Sequence, residues 1–198
     1  MINIVGNIGS GKKEIEQEFR KNDNIIVINL DDIDDFNFVN LFRTDKKFYK
    51  DVSENKKNNW TKILEKENKK IINQYIKMSK KESRILVVIC LPHHNNIINY
   101  IEWTTKFYID TDIEQLYRRS CTKILERLHK NHHELIEMLK HQPKLYTIKS
   151  VSFFKMRIKD LAIIPYDEFI GREKSIRTKY KNLGYKIISS NKIIKMII

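Results

Sequence analysis

The stretch that decides the fold is GNIGSGKK, Gly6 to Lys13, set between the apolar run MINIV (Met1–Val5) and EIEQEF (Glu14–Phe19). It matches GxxxxGK[ST], a phosphate-binding loop, at Gly6, Gly11 and Lys12, and departs from it at Lys13. Three of the chain's five glycines, Gly6, Gly9 and Gly11, fall within these positions. Glycines let the backbone curl so that successive N–H groups face phosphate oxygens, and the helix that follows adds its positive end. Asn7, Ile8 and Ser10 complete the loop, and Lys12 reaches toward the β- and γ-phosphates. An ammonium at 13 cannot ligate a cation as a hydroxyl does. Lys13 therefore either points outward or binds a phosphate and stands in for part of the metal's charge.

Working outward, the spacing predicts a strand over Met1–Val5 and a helix over Lys12–Lys21, where Ile15 and Phe19 are four apart. NIIVINL (Asn24–Leu30) reads as a second strand, closed by the acidic run LDDIDD. Phe38, Leu41, Phe42, Phe48 and Tyr49 anchor 37–55 as a substrate-covering helix and loop. A long helix follows over Asn58–Ser79. Arg84–Leu91 is apolar throughout, as a central parallel strand is, and Pro92 ends it. A short helix is expected over Asn95–Trp103, then a strand over Lys106–Ile109. Asp110, Thr111 and Asp112 are capping candidates for a helix starting at Ile113 and running toward His141. Helices are expected over Val151–Leu161 and Arg172–Leu183, with Gly184 as C-cap. Tyr185–Ile188 is a fifth strand, and the tail Ile193–Ile198 either adds a short strand or packs on the sheet.

Strands alternating with helices predict an α/β fold, a three-layer parallel sheet of about five strands with helices on both faces. No linker or repeat divides residues 1–198, so one domain is expected, with a lid segment at 112–150. The longest apolar run, Ile85–Leu91, is far short of a membrane span. No signal layout precedes the first strand, and Cys90 and Cys121 have no metal spacing, which predicts an intracellular, cytoplasmic protein with no membrane partner. The net charge of +13, from 38 Lys+Arg against 25 Asp+Glu, favours anionic partners. Lys, Asn and Ile abound while alanine occurs once, at Ala162, so an A/T-rich genome, as of a parasite, virus or endosymbiont, accounts for part of that charge. The lysines are scattered and form no stripe interleaved with aromatics, which weakens a nucleic-acid reading.

In motif order the chain resembles the P-loop nucleoside and nucleotide monophosphate kinases. GNIGSGK is similar to the loop of deoxynucleoside kinases, and YIDTDIEQLYRRSCTKILER (Tyr108–Arg127) to the family's lid helix. The resemblance implies an ATP-binding protein that transfers phosphate to a small nucleoside or nucleotide. It makes Arg119 and Lys123 lid bases on the transferring phosphoryl, with Arg118 and Arg127 as alternates. It puts a base or substrate-binding acid at Asp31 or Asp32, and brings Ser189–Lys192 near the adenine. Two features depart from the family pattern: the lysine at 13, and the absence of an acid after the third strand, where Cys90, Leu91, Pro92 and His93 stand. No metal ligand is assigned, and magnesium is in doubt; if it binds, the acid comes from the cluster after strand two. The alternatives are a catalytically degenerate P-loop protein with a binding or structural role, for example in a viral particle, and a basic P-loop protein that associates with nucleic acid.

Independently of the resemblance, phosphoryl transfer needs positive charge around the equatorial oxygens and an in-line nucleophile. Arg119 and Lys123 lie four apart on one helix face, which would equally suit a solvated basic face. Asp31, Asp32, Asp34 and Asp35 could cap a helix or supply the site acid. His93 and His94 lie at the ligand-facing end of a parallel strand and either touch substrate or serve the loop. His129, His133, Glu137 and His141 recur every four residues without a zinc motif and read as a polar helix face. Trp60 and Trp103 read as core.

Overall fold

The computed structural model describes residues 1–94, 99–123, 125, 126, 129 and 165–198. Five strands form one sheet, all parallel: β1 (Ile2–Val5), β2 (Ile25–Asn29), β3 (Ile85–Cys90), β4 (Thr105–Ile109) and β5 (Lys186–Ile188), in the order β2-β3-β1-β4-β5. Val5 is in register with Cys90 on one side and Tyr108 on the other, so the carboxyl ends of the three central strands are level. The described helices are α1 (Lys12–Phe19), α2 (Leu30–Thr44), α3 (Lys46–Ser53), α4 (Lys57–Glu82), α5 (113–123), α6 (Tyr166–Asn182) and α7 (Ser190–Ile197).

Strand alternation builds the three layers. Ile4, Ile25, Val27, Val87, Ile89, Phe107 and Ile109 pack with Ile15 and Phe19 of α1 and Ile193 of α7. The intervening residues Val5, Ile26, Ile28, Leu86, Val88, Cys90 and Tyr108 pack with Leu30 of α2, Ile72 of α4 and Tyr180 of α6. Successive side chains of a strand leave opposite faces, so strands buried on both sides read as unbroken apolar runs. A smaller cluster lies outside the sheet, where Phe38, Phe48 and Trp60 meet edge to face, with ring centroids 5.4–6.2 Å apart. It joins α2 and α3 to α4. Residues 37–55 are thus mostly helical and held by aromatic packing.

Gly184 has φ +79; its N–H bonds Lys181 O, and Tyr185 N–H bonds Tyr180 O, the Schellman pattern expected of a glycine at that position. Asp112 caps α5, its carboxylate accepting from Gln115 N–H at 2.9 Å. Two local expectations need correction. The cap of α2 is Asn29, the last residue of β2, which accepts from Asp31 N–H at 3.1 Å; the aspartates fall inside the first turn. α6 begins at Tyr166, not at Arg172. Of the two readings of the tail, packing on the sheet holds, and the tail packs there as a helix, because Ile193, Ile194 and Ile197 share one helical face against the sheet. The helix expected over 95–103 falls partly outside the described residues, and its described part, 99–103, is turn and bend. The expected helix 151–161 lies outside the described residues, as does most of the 112–150 segment. Trp103 packs against the main core, and Trp60 belongs to the aromatic cluster. No described helix is long and apolar enough to cross a membrane.

Candidate functional site

The chain after β1 crosses to one side of the sheet, and the chain after β3 crosses to the other. In open parallel sheets the crevice beyond the carboxyl ends at such a reversal is where ligands bind. The glycine loop occupies it. Gly6 N–H bonds Cys90 O at 3.1 Å, fastening the loop's start to the end of β3. A β-carbon on Gly6 would collide with the Ser10 hydroxyl, so the turn closes only on hydrogen. Gly9 and Gly11 have φ +85 and +99, and Gly11 is the N-cap of α1.

Thr111 and α5 fasten the loop from its outer side. Ser120 Oγ donates to Ile8 O at 2.6 Å, Thr111 Oγ1 to Ser10 O at 3.0 Å, and Arg119 Nη1 to Gly9 O at 3.5 Å. In a trans peptide the N–H points opposite the C=O. Drawing the carbonyls of Ile8, Gly9 and Ser10 toward one side therefore turns the N–H groups of Gly9 and Gly11 toward the other. A β-carbon on Gly9 would stand 2.8 Å from that of Arg119, so the loop and helix are in direct contact. Ser190, at the start of α7, approaches Gly11: its Oγ lies 3.3 Å from where a β-carbon would be.

Lys12 lies at the centre. Its side chain is 12% exposed, its Nζ donates to Gly6 O at 2.8 Å, and it is 3.2 Å from Asp31 Oδ2. Burial pushes the ammonium's pKa down, Asp31 opposes the shift, and the nearby charge of Lys123 adds to it. Asp31 Oδ1 accepts from Leu91 N–H at 2.9 Å, which places the carboxylate at the end of β3. His94, in the short 3₁₀ turn Pro92–His94, puts Nδ1 3.8 Å from the same oxygen. Burial, then the neighbouring His93, lowers the His94 pKa to about 4, so the ring is neutral at pH 7. His93 shifts down for the same reason, burial first. Below them Cys90 is fully buried, and its thiol is pushed up to about 12.

Lys12, Asp31, Arg119 and Lys123 are therefore gathered at one loop, though Arg119 and Lys123 are exposed. Asp32 is not among them: it is exposed, and loss of hydration with the charges of Glu16, Asp31 and Asp35 raises its pKa. Lys13 is exposed on the first turn of α1. Arg118 points to Glu114, at 2.6 Å, and His129 is exposed. Arg127, His133, Glu137 and His141 lie outside the described residues. Among the described residues no group of three or more His, Cys, Asp or Glu side chains could hold a metal ion.

Sequence reasoning missed the loop's second anchor. Glu173 of α6 is 1% exposed and accepts from Tyr108 Oη at 2.9 Å, Arg177 Nε at 2.9 Å and the Asn7 amide. Arg177 goes on to Asp110 at 2.6 Å and to Thr111 O. Burial and the Glu173 charge raise the Tyr108 pKa. The spacing of Glu173 and Arg177, one helical turn apart, was a signal for a pair; nothing local marks the pair as buried beneath Asn7.

No family model matches the chain, and no curated protein matches it. Among solved structures it is similar to the crystal structure of TT1252 from Thermus thermophilus, with a TM-score of 0.53 and 12% identity over 94% of this chain and 85% of that one. The likeness supports the three-layer α/β fold.

Proposed function

We propose that the protein binds ATP at the Gly6–Lys13 loop and transfers its terminal phosphate to a small nucleoside or nucleotide. The observation that carries this reading is the gathering of Lys12, Asp31, Arg119 and Lys123 around one glycine loop at the carboxyl ends of a parallel sheet. In this scheme the loop N–H groups and Lys12 hold the β- and γ-phosphates. Arg119 and Lys123 balance charge on the transferring group, and Asp31 receives or orients the acceptor hydroxyl. Such catalysis is mainly positioning and electrostatics.

A second reading, a nucleotide-binding protein without turnover, is favoured by one feature: Lys13 is exposed where the motif carries a metal-binding hydroxyl. ATP affinity measured with Mg²⁺ and with EDTA, followed by phosphate transfer to a nucleoside panel, separates the two. Transfer to one acceptor supports the kinase. Tight binding indifferent to EDTA, with no transfer to any acceptor, supports the second reading. Absence of ATP binding in both conditions overturns both.

A further inference from the structure

The half of the site that the sequence leaves empty is the cation half. Position 13 has no hydroxyl, and no acid follows β3 in the chain. Two other donors stand there. Asp31 Oδ1 is held at the end of β3 by Leu91 N–H, and it faces His94 Nδ1 across 3.8 Å. His94 is 3% exposed, and among the described residues its Nδ1 has no hydrogen-bond partner. The ring is held edge-on by His93, with centroids 4.1 Å apart. A separation of 3.8 Å is too long for a hydrogen bond. Two donors each about 2.1 Å from one ion stand at most about 4.2 Å apart, so the gap accommodates a shared cation. The carboxylate's other oxygen, Oδ2, is the one beside Lys12, which leaves a lone pair of Oδ1 for an ion.

We propose that Asp31 Oδ1 and His94 Nδ1 are the two protein ligands of a divalent cation, and that the imidazole makes this site prefer Mn²⁺ or another first-row transition ion to Mg²⁺. Phosphate oxygens and water complete the shell, as they do where a protein supplies only one or two donors. Imidazole suits transition ions, whereas Mg²⁺ prefers an all-oxygen shell. The bridge to phosphate rests on the nucleotide reading above; the two protein ligands do not. Asp31, brought by α2 to the end of β3, would thus supply in space the acid that the third strand lacks in sequence.

The test uses the full chain and reads Mn²⁺ by the loss of its free-ion paramagnetic resonance signal, with Mg²⁺ as competitor. In the presence of ATP the protein is expected to hold Mn²⁺ at least tenfold more tightly than Mg²⁺, beyond the ratio ATP shows alone. His94→Ala is expected to bring that ratio back to that of ATP alone while ATP binding in EDTA persists. His94→Gln, which retains a polar side chain, is the second variant if the first fails to fold, and is expected to lose the preference as well. An unchanged Mn²⁺ preference in a folded His94 variant, or no preference in the wild type, overturns the proposal. Failure to bind ATP both in EDTA and with metal present sinks the nucleotide reading instead; Co²⁺ alone then decides the ligand pair through its visible absorption. A band that needs both Asp31 and His94 upholds the pair, and no band overturns it.

Discussion

The buried carboxylate of Glu173 gives the sharpest test of how the loop is held. Its oxygens accept from Tyr108, Arg177 and Asn7, residues up to 166 positions away in the chain. Glu173→Ala removes these three acceptor contacts and, among the described residues, leaves the half-buried Arg177 with Asp110 and Thr111 O. Removing one partner of a buried pair costs about 3–5 kcal/mol. Glu173→Gln keeps one acceptor oxygen but turns an NH₂ toward a donor, a loss of about 1–3 kcal/mol. With a urea slope of about 2 kcal/mol/M, the midpoints should fall by about 1.5–2.5 M and 0.5–1.5 M respectively. Glu173→Met combined with Arg177→Met should lose less than the sum of the single variants, because neither charge is then left buried alone. The assay is equilibrium urea unfolding by circular dichroism, paired with binding of an ATP analogue, since Asn7 is a loop residue. An alanine variant within about 0.3 M of the wild-type midpoint would refute the reasoning.

Four further outcomes are expected. Gly9→Ala places a methyl 2.8 Å from the Arg119 β-carbon at φ +85, so left-handed strain of about 1–2 kcal/mol plus the clash should lower the melting temperature and weaken ATP-analogue binding. Gly171→Ala, in α6 with nothing within 4 Å, should instead stabilise by about 0.5–1 kcal/mol, and thermal melts of the pair check both. His94 has a folded pKa of about 4 against an ordinary 6.5; a base so depressed contributes stability above pH 6.5 that is lost as pH falls toward 4. Urea unfolding in EDTA across that window should show a loss of about 3 kcal/mol that His94→Gln flattens. Lys13→Ser restores the hydroxyl of the motif, and titration of ATP binding with Mg²⁺ should show a dependence that the wild type lacks; equal Mg²⁺ dependence in both proteins would show that position 13 does not limit the site.

What could be read from the chain was what local physics decides. The unbroken buried runs of β2 and β3, the glycine turns and the Gly184 cap depend on residues a few positions apart, and they lie where the sequence places them. Errors came where distant contacts choose between local options. The tail SNKIIKMII is rich in β-branched residues, which suits a strand, yet Ile193 is buried beside Ile15 and Phe19 on a helical face. Asn29 closes a strand and caps a helix at once, a double role that a one-state reading of each residue misses. Nothing in the sequence singles out Glu173, and it leaves His94 between substrate contact and a loop role, because their partners, Asn7 and Asp31, are far away in sequence.

The same distinction bears on the two departures from the phosphate-loop pattern, which are unequal once placed in space. Lys13 is a departure in sequence and in structure: the side chain is exposed and brings no oxygen to the crevice. The missing acid after β3 is a departure in sequence only. Because α2 starts directly at the end of β2, beside β3 in the sheet, the first turn of α2 carries Asp31 to Leu91 N–H at 2.9 Å and to Lys12 at 3.2 Å. A carboxylate thus stands beside the loop lysine at the end of the third strand, delivered by its neighbour. Geometry of that kind cannot be inferred from a motif that counts along one strand; it follows from strand order. For this chain, then, asking which residue follows β3 is less informative than asking which carboxylate the β2–α2 junction brings to it. Whether Asp31 and His94 take up Mn²⁺ is the measurement that distinguishes a site rebuilt on different residues from one without a metal.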